Sequence, residues 1–322
     1  MLKKFKENNK ILIISHSADI DGLGSIILAN YYFKEFDYLL ANNNDDFSLD
    51  SDIDYQKYDT IYICDLGFNE KNLNYVLANA DVATKIKHFD HHESGLKNNI
   101  YSFVNKKTTL NNRPTCATEL FYEYLLKLDN NSILDCGFFK ELVEAIRCED
   151  TWTFKENNNQ LGPDLTILLV DLGIEQFIEV LSSLNPSIHF YLPKMYENII
   201  TRAKNIQNTK IENYLEKSML VSFKQYTVAV SVSEEYRSLA GERLLEKYPA
   251  ADFALIINFS RCTCSLRGRK NSLNLNDIAP LFTKNGGGHE CAAGFSFDNE
   301  SIPKINDILL EYLQKNAKWS NI

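Results

Sequence analysis

Residues 11–22 read ILIISHSADIDG, and this stretch decides the fold of the first half of the chain. Four consecutive apolar residues predict a buried strand, which is followed at once by a histidine and two aspartates. Two further β-like runs, TIYIC at 60–64 and TKIKHF at 84–89, alternate with helical patterns such as those at 23–33 and 117–128. Strands that alternate with helices form parallel sheets, so the sequence predicts an α/β domain.

The three predicted strands all end in residues that can bind a metal ion. In chain order, these residues are His16, Asp19, Asp21, Asp65, Asp90, His91 and His92. Because the carboxyl ends of parallel strands meet at one edge of a sheet, we expect the seven side chains to lie close together. The helical pattern at 136–148 runs into Glu149 and Asp150, and either carboxylate could complete the set.

The number and type of these donors predict a binuclear metal site. Five or six oxygen and imidazole donors exceed what one ion needs when water must also bind. Carboxylate and imidazole without thiolate favour Mn²⁺, while Mg²⁺ and Co²⁺ remain open. Two ions about 3.5–4 Å apart suit hydrolysis at phosphorus, since together they activate water and neutralise charge on the phosphoryl oxygens.

The pattern changes from about residue 220, where a second and smaller α/β domain is predicted. β-like runs at 226–233, 251–260 and 262–269 surround a helical pattern at 234–248. We therefore predict a first domain at 1–190, a helical linker at 191–218 and a second domain at 219–322.

The second domain contains a glycine cluster that suggests an anion site. Gly286, Gly287 and Gly288 precede His289, and Arg267 lies shortly upstream. Successive glycines can expose backbone N–H groups as an anion-binding nest, with the two side chains adding charge-assisted bonds. A flexible turn is the alternative. Between residues 219 and 294 there are nine basic and seven acidic residues, in a chain whose net charge is −9, and this favours the anion site.

Composition excludes several classes of protein. The chain has 322 residues, and a net charge of −9 argues against binding of long nucleic acids, which requires many lysines and arginines. Seven cysteines without a CxxC pair fit neither a disulfide framework nor a zinc ribbon. The longest apolar runs fall far short of the roughly 20 residues of a membrane span, and the amino terminus lacks the features of a signal peptide. We therefore expect a cytoplasmic protein without a membrane partner.

The ordered motifs from His16 to Asp150 resemble the metal-binding motifs of the DHH phosphoesterases, and GGGHECAAG at 286–294 resembles the signature of the associated DHHA1 domain. Cys264-Ser265-Leu266-Arg267 is similar to the S-x-R strand of that second domain. The resemblance implies that one metal is held by His16, Asp19 and Asp65. It implies that the second metal is held by Asp21, Asp65, His91 and Asp150.

The resemblance also implies roles for the remaining residues. His92 would donate a hydrogen bond to the scissile phosphate, and Asp90 would orient a histidine. Arg267, Gly286, Gly287, Gly288 and His289 would bind substrate.

The resemblance is closest to family members that cut very short oligonucleotides. We therefore expect a Mn²⁺-dependent phosphodiesterase that cleaves 5′-phosphorylated oligonucleotides of about two to five nucleotides to mononucleotides, with the second domain closing over the metals. The alternatives are a phosphatase for 3′-phosphoadenosine 5′-phosphate, a cyclic-dinucleotide phosphodiesterase, a RecJ-like exonuclease and a non-catalytic nucleotide-binding protein. A homodimer is left open.

Overall fold

The computed structural model describes residues 2–4, 10–42, 48–49, 53–92, 104–129, 132–270, 272–284 and 286–297. The chain divides into two compact units, Met1–Thr201 and Arg202–Ile322. The last part of the predicted second domain, residues 298–322, lies outside the described residues.

The first unit is built on a six-stranded sheet in the order β1-β3-β2-β4-β5-β6. The strands are β1 (Leu2–Lys4), β2 (Ile11–His16), β3 (Asp37–Ala41), β4 (Thr60–Cys64), β5 (Ile86–Asp90) and β6 (Val104–Lys106). Neighbouring strands from β3 to β6 are parallel, and only the edge strand β1 is antiparallel to its neighbour. The carboxyl ends of β2, β4 and β5 therefore lie side by side at one edge.

Helices cover both faces of this sheet. They are α1 (Ile20–Tyr32), α2 (Glu70–Ala78), α3 (Ala80–Lys85), α4 (Ala117–Leu128), α5 (Gly137–Asp150), α6 (Leu161–Leu172) and α7 (Ile174–Ser183). One core lies between the sheet and the helices α1 and α4 to α7, and it includes Ile13, Phe121 and Phe139. The other core contains Leu12 and Ile14 and is covered by α2 and α3. Successive side chains of β2 point to opposite faces of the sheet and so pack into both cores, as expected for a strand that is buried on two sides. A short hairpin of β7 (Thr109–Leu110) and β8 (Arg113–Pro114) precedes α4.

The second unit contains another six-stranded sheet in the order β13-β14-β12-β11-β10-β9. The strands are β9 (Met219–Phe223), β10 (Tyr226–Val232), β11 (Phe253–Asn258), β12 (Thr263–Arg267), β13 (Gly287–Gly288) and β14 (Ala292–Ser296). Only β10 and β11 pair in parallel. Helix α9 (Arg237–Lys247) packs on one face and the short helix α10 (Leu275–Ile278) on the other.

Helix α8 (Lys194–Glu216) has 23 residues, and the division between the two units falls inside it. None of the helices in the described ranges is long and apolar enough to cross a membrane. The predicted fold class, a parallel-sheet α/β domain followed by a smaller α/β domain, is confirmed.

Candidate metal centre

Three adjacent strands bring their ends to the candidate site. His16 is the last residue of β2, Asp65 directly follows β4, and Asp90 is the last residue of β5. The order β2-β4-β5 makes these three ends neighbours. This is the carboxyl edge, where open α/β sheets bind their ligands.

The turn between β2 and α1 adds two carboxylates to this edge. Asp19 is the N-cap of α1, and its Oδ1 accepts hydrogen bonds from the N–H groups of Asp21 and Gly22 at 3.1 Å each. A side chain at Gly22 would collide with the backbone of β2, because a Cβ there would lie 2.2 Å from the carbonyl oxygen of His16. Glycine at this position therefore allows the tight turn that brings His16, Asp19 and Asp21 together.

The first donor cluster consists of His16, Asp19 and Asp65. Nδ1 of His16 lies 2.9 Å from Oδ2 of Asp19 and 3.1 Å from Oδ2 of Asp65. The other ring nitrogen, Nε2, donates a hydrogen bond to the carbonyl oxygen of Asn42 at 2.8 Å. This bond fixes the ring orientation and leaves Nδ1 facing the two carboxylates, as is usual for histidines that bind metals.

The second donor cluster consists of Asp21, His91 and Asp150. Nε2 of His91 lies 3.7 Å from Oδ2 of Asp21 and 3.4 Å from Oδ2 of Asp150, the last residue of α5. Asp21 is fully buried, and its two oxygens accept hydrogen bonds at 2.8 Å from the N–H groups of Ala117 and Thr118, which begin α4. The start of α4 thus holds this carboxylate in place.

Asp65 lies between the two clusters. Its Oδ2 faces His16, and its Oδ1 lies 3.5 Å from Nε2 of His91. The side chain is 2% exposed, and the backbone has a φ of 56°, which is uncommon for a residue with a side chain. Both geometry and burial fit a carboxylate that is shared by two ions.

Three buried atoms of the site make no hydrogen bond within the described residues. They are Oδ1 of Asp65, Nε2 of His91 and Oδ2 of Asp150. Buried polar atoms without partners are rare, and each requires an explanation. The separations of 3.4–3.7 Å among the atoms of the second cluster are too long for hydrogen bonds. They suit ligands that each lie about 2.1 Å from one ion, so the donors fit a divalent cation.

The charges of the site shift the pKa values of both histidines upward. Burial alone would lower the pKa of His16, but its hydrogen bonds with Asp19 and Asp65 outweigh burial and raise the pKa to about 11. Burial is likewise outweighed at His91, where Asp65, Asp150 and Asp21 raise the pKa to about 10. Both imidazoles are therefore protonated at neutral pH. Their positive charge balances the carboxylates in the absence of a bound cation.

The carboxylates respond in opposite directions. Burial, followed by the charge of Asp65, raises the pKa of Asp21 to about 6. Burial and the charge of Asp21 also raise the pKa of Asp150 well above its usual value. Burial would raise the pKa of Asp65, but the hydrogen bond from His16 and the neighbouring imidazoles of His91 and His92 outweigh it, so this pKa is lowered. Several carboxylates crowd one buried site, and binding of cations would relieve their repulsion.

His92 lies beside the second cluster and is oriented by Asp90. Its Nδ1 donates to Oδ1 of Asp90 at 2.7 Å, and Asp90 is fully buried. This hydrogen bond is the main cause of the raised pKa of His92. The side chain of His92 is 42% exposed, so its ring can reach a bound substrate.

The structure distinguishes the two acidic residues at the end of α5. Asp150 faces His91, whereas Oε1 of Glu149 accepts a hydrogen bond from Thr166 of α6 at 3.2 Å. Burial, together with the charge of Asp164, raises the pKa of Glu149 to about 7. Glu149 therefore packs against α6 and does not join the donor clusters.

Some contacts of the site had no signal in the sequence. They include the contacts of Asn42, Ala117 and Thr118 described above. They also include His88, whose Nε2 donates a hydrogen bond at 2.7 Å to the carbonyl oxygen of Leu66, the residue that follows Asp65. A helix start shortly after Pro114 could have indicated the amide groups that bind Asp21. Nothing in the sequence indicated the other contacts, because they join residues far apart in the chain.

The glycine cluster of the second unit differs from the expected nest. Gly287 and Gly288 form β13, and the backbone amides nearby are already used. The N–H of Gly286 donates to the carbonyl oxygen of Thr283, and the N–H of His289 donates to that of Ala292. The N–H of Gly288 donates to the side-chain oxygen of Asn276. For the amides of Gly286, Gly288 and His289 the expectation of free groups is therefore wrong, since these groups hold the strand and its turns together. The glycines serve close packing: a Cβ at Gly286 would lie 2.2 Å from the carbonyl oxygen of Ala279.

Side chains, not amides, remain as anion donors in this unit. Arg267 ends β12, where it pairs with Ala292 of β14. The imidazole of His289 is exposed at the turn between β13 and β14. The turn and the end of β12 are adjacent, because Gly268 N–H donates to the carbonyl oxygen of Cys291.

Comparisons with known proteins agree with this architecture. Residues 10–148 match the model described as DHH family, N-terminal domain. Over 300 residues the chain is 26% identical to oligoribonuclease NrnB of Bacillus subtilis (strain 168), a similarity that covers 89% of this chain and 73% of that protein.

Solved structures with the same fold include two nucleotide-related enzymes. Exonuclease RecJ bound to manganese has a TM-score of 0.55 and 14% identity, covering 95% of this chain and 90% of the other. The pGpG-specific phosphodiesterase PggH from Vibrio has a TM-score of 0.53 and 15% identity, with coverage of 96% and 100%. At these identities the structures show a shared fold. The matched residues 10–148 carry all the donors except Asp150, so most of the donor set lies in the part of the chain that is similar to the DHH family, N-terminal domain.

Proposed function

We propose that this protein is a divalent-metal-dependent phosphodiesterase that hydrolyses short 5′-phosphorylated oligonucleotides to mononucleotides. The observation that carries the proposal is the pair of donor clusters with Asp65 between them, its Oδ2 facing His16 and its Oδ1 facing His91. The relative with 26% identity is named an oligoribonuclease, and the structurally similar RecJ and PggH are an exonuclease and a phosphodiesterase. These names support a phosphodiester of nucleotides as the substrate class.

We assign the ligands of the metals as follows. His16, Asp19 and Asp65 would hold the first ion, and Asp21, Asp65, His91 and Asp150 would hold the second. Mn²⁺ suits this mixture of carboxylate and imidazole, and Mg²⁺ or Co²⁺ can replace it. When bound, such a pair of ions activates water and neutralises charge on the phosphoryl oxygens.

The residues around the ions position the substrate. The hydrogen bond with Asp90 raises the pKa of His92 and orients its ring, so that the protonated imidazole can donate a hydrogen bond to an oxygen of the scissile phosphate as negative charge grows there. The amides that start α4 keep Asp21 fixed, and the carbonyl oxygen of Asn42 keeps His16 fixed. These contacts preorganise the site, so few groups need to move when the reaction begins. Water adds to phosphorus, the bond to the leaving ribose oxygen breaks, and that oxygen takes up a proton.

Arg267 and His289 are assigned to the far end of the substrate. Gly286 and Gly288 contribute by letting the backbone pack closely, against Ala279 and against Ala292 and Ala293 respectively. Gly287 is assigned with them, although a Cβ there would meet only Oδ1 of Asn276 at 3.7 Å. A net charge of −9 for the whole chain supports a short substrate over a long nucleic acid, because each added phosphate adds repulsion unless a basic group neutralises it.

The proposal is tested by the dependence of turnover on substrate length. The Mn²⁺-loaded protein is incubated with 5′-labelled RNAs of two to twenty nucleotides, and also with adenosine bisphosphate and cyclic di-AMP. We expect the fastest turnover on the shortest linear RNAs, with rates that fall steeply beyond about five nucleotides. Equal rates on the dimer and the twenty-mer would instead support a RecJ-like exonuclease. Preferred turnover of adenosine bisphosphate or cyclic di-AMP would also contradict the proposal.

A further inference from the structure

Helix α5 ends in a backbone turn of a kind that is usually made by glycine. The N–H of Trp152 donates to the carbonyl oxygen of Glu149 at 3.1 Å. The N–H of Thr153 donates to the carbonyl oxygen of Cys148 at 2.8 Å. These two bonds form a Schellman motif, in which the residue after the helix cap has a positive φ. Trp152 is that residue, and its φ is 55°. Glycine is favoured at such a position because a Cβ in the left-handed region costs free energy.

The large side chain that stands in place of glycine is not buried. Trp152 is 44% exposed, although the two residues that follow it, Thr153 and Phe154, are buried. The indole makes a T-shaped contact with Phe154, with ring centroids 5.1 Å apart and an interplanar angle of 79°. This contact orients the indole, and much of the residue stays open to solvent. A strained backbone that carries an exposed aromatic ring indicates a functional role.

The turn that carries Trp152 is held by side-chain hydrogen bonds. Oγ1 of Thr151 donates to the carbonyl oxygen of Arg147 at 2.7 Å and lies 2.9 Å from Oγ1 of Thr153. Nδ2 of Asn157 donates to the carbonyl oxygen of Thr153 at 2.8 Å. The backbone under the indole is therefore ordered before a ligand binds, so less conformational entropy is lost on binding.

Trp152 is also close to the candidate metal centre. It is the second residue after Asp150, whose Oδ2 belongs to the second donor cluster. The Cα atoms of the two residues are at most about 8 Å apart, since consecutive Cα atoms are separated by about 3.8 Å. A nucleotide whose phosphate lies at this cluster therefore brings its base within reach of the indole.

An exposed indole beside a phosphodiester site suits a nucleobase. Aromatic side chains bind single-stranded nucleic acids by stacking, and stacking accepts any base because every base has an aromatic face. The donor clusters and His92 are assigned to the metal ions and the phosphate, and none of these groups binds the base. The ring is also a single apolar surface along this part of the chain, because the exposed residues that follow, at 155–158, read KENN. A protein partner would require a broader apolar patch.

We propose that the indole of Trp152 stacks on the base of a nucleotide next to the scissile phosphate, so that Trp152 contributes to specificity for nucleotides over other phosphodiesters. The proposal rests on the function proposed above. Stacking can nevertheless be measured with a mononucleotide that has no phosphodiester bond to cleave, and it is therefore tested separately from turnover.

The first experiment detects stacking by fluorescence. The chain has two tryptophans, and Trp319→Phe leaves Trp152 as the only one. The full-length protein is titrated in Mg²⁺ with 5′-AMP and, as a probe without a base, with ribose 5-phosphate. We expect saturable quenching by 5′-AMP, because a stacked base quenches the emission of an indole, and no quenching by ribose 5-phosphate. Emission that 5′-AMP leaves unchanged, or that both probes quench equally, would overturn the proposal.

The second experiment compares turnover of a dinucleotide in Mn²⁺ with that of the same dinucleotide lacking its bases. Trp152→Ala should lower kcat/KM on the normal dinucleotide roughly 5- to 150-fold, mainly through KM, which is the loss typical of one stacked base. Turnover of the abasic substrate should stay that of the parent protein, and Trp152→Phe should restore much of the loss. An unchanged kcat/KM of Trp152→Ala on the normal dinucleotide would overturn the proposal.

The matched control is Tyr191→Ala. Tyr191 is also 44% exposed, and its ring makes a T-shaped contact with Phe138, which lies near the opposite end of α5 from Asp150. This variant removes an aromatic ring of equal exposure from a place distant from the donor clusters. It should cleave both dinucleotides like the parent protein.

Trp152→Gly separates binding of the base from support of the fold. Glycine suits the positive φ, and the relieved strain offsets the lost contact with Phe154, so the urea midpoint of unfolding and the affinity for Mn²⁺ should stay close to those of the parent. Turnover of the normal dinucleotide should fall as in Trp152→Ala. Equal losses on the normal and abasic substrates, together with weaker Mn²⁺ binding, would overturn the proposal and assign the ring to support of the metal site. If 5′-AMP quenches Trp152 but no oligonucleotide is hydrolysed, the proposed function fails while the stacking site stands.

Discussion

The carboxyl edge of the first sheet and the α9 face of the second sheet carry opposite charge. At the first, four carboxylates and two imidazoles crowd together, with buried atoms that lack partners. At the second, two guanidinium groups lie over one face of the sheet, where Arg237 donates to Thr263 and Arg267 donates to Ser238. The first region thus offers ligands for a cation, and the second offers hydrogen-bond donors for an anion. We infer that the first unit performs the chemistry and the second contributes binding energy.

The most severe loss is expected from Asp65→Ala, because this side chain faces both donor clusters. Turnover of a dinucleotide should fall below detection, while the circular dichroism spectrum stays that of the parent protein. Asp59→Ala, an exposed aspartate just before the opposite end of β4, is the matched control and should keep its activity. Near-normal turnover by the folded Asp65→Ala protein would show that the two clusters do not act as one centre.

Changes in the second unit should have smaller and selective effects. Loss of one charge-assisted contact costs about 1.5–3 kcal/mol, or roughly one to two decades in kcat/KM. Arg267→Ala and His289→Ala should show this loss on a 5′-phosphorylated dinucleotide. The loss on bis-p-nitrophenyl phosphate should be much smaller, because that diester lacks the distal phosphate. Parallel losses on both substrates, with metal content unchanged, would mean that these residues support structure and do not bind substrate.

Gly22→Ala should affect the first region through geometry alone. The new Cβ would lie 2.2 Å from the carbonyl oxygen of His16, so the turn that brings His16 to Asp19 must shift. Overpacking of this kind costs typically about 1–3 kcal/mol in the free energy of unfolding. Denaturant titration should show that cost together with weaker Mn²⁺ binding. Gly268→Ala, where the nearest contact is a leucine side chain at 3.1 Å, is the control and should bind Mn²⁺ normally. Unchanged Mn²⁺ affinity in a destabilised Gly22→Ala protein would show that the conformation of this turn does not affect metal binding.

Metal binding should release protons, and this effect is smaller than the losses of activity and stability described above. In the metal-free protein the pKa values of His16 and His91 are about 11 and about 10, so both rings are charged at pH 7. A metal ion must displace those protons, and at least two should be released per chain, since the raised pKa values of Asp21 and Asp150 can only add to the release. Affinity for Mn²⁺ should therefore rise with pH between 6 and 8. Calorimetry in buffers of different ionisation enthalpy measures the release, and an affinity independent of pH would rule out the two imidazoles as ligands.

The sequence was sufficient to predict which residues meet at the candidate site, because the order of strands in a parallel sheet dictates where their ends meet. His16, Asp65 and His91 each end or follow a strand, so their proximity required only the fold class. The choice between Glu149 and Asp150 required the structure, since it depends on the rotation of α5 against α6. Helix α4 could be placed at 117–128 from its apolar periodicity, and the structure has the same bounds.

Other features could not be predicted because their causes are non-local. Strand β3 (Asp37–Ala41) was not identified, as no glycine or proline separates it from the aromatic residues that end α1. The amides of the glycine cluster were expected to be free, but their acceptors at Thr283, Asn276 and Ala292 become visible only when the chain is folded. Likewise, the hydrogen bond from Arg267 to Ser238 depends on how α9 packs against β12.

The most direct test of the account is the number of Mn²⁺ ions that the full-length protein binds. Metal-free protein is titrated with Mn²⁺ by calorimetry, and free Mn²⁺ is followed in parallel by electron paramagnetic resonance. The account predicts two ions per chain, with a spectrum of coupled ions, and loss of at least one of them in Asp65→Asn. A single ion per chain in the parent protein, or two ions that remain in Asp65→Asn with unchanged affinity, would contradict a centre in which Asp65 is shared.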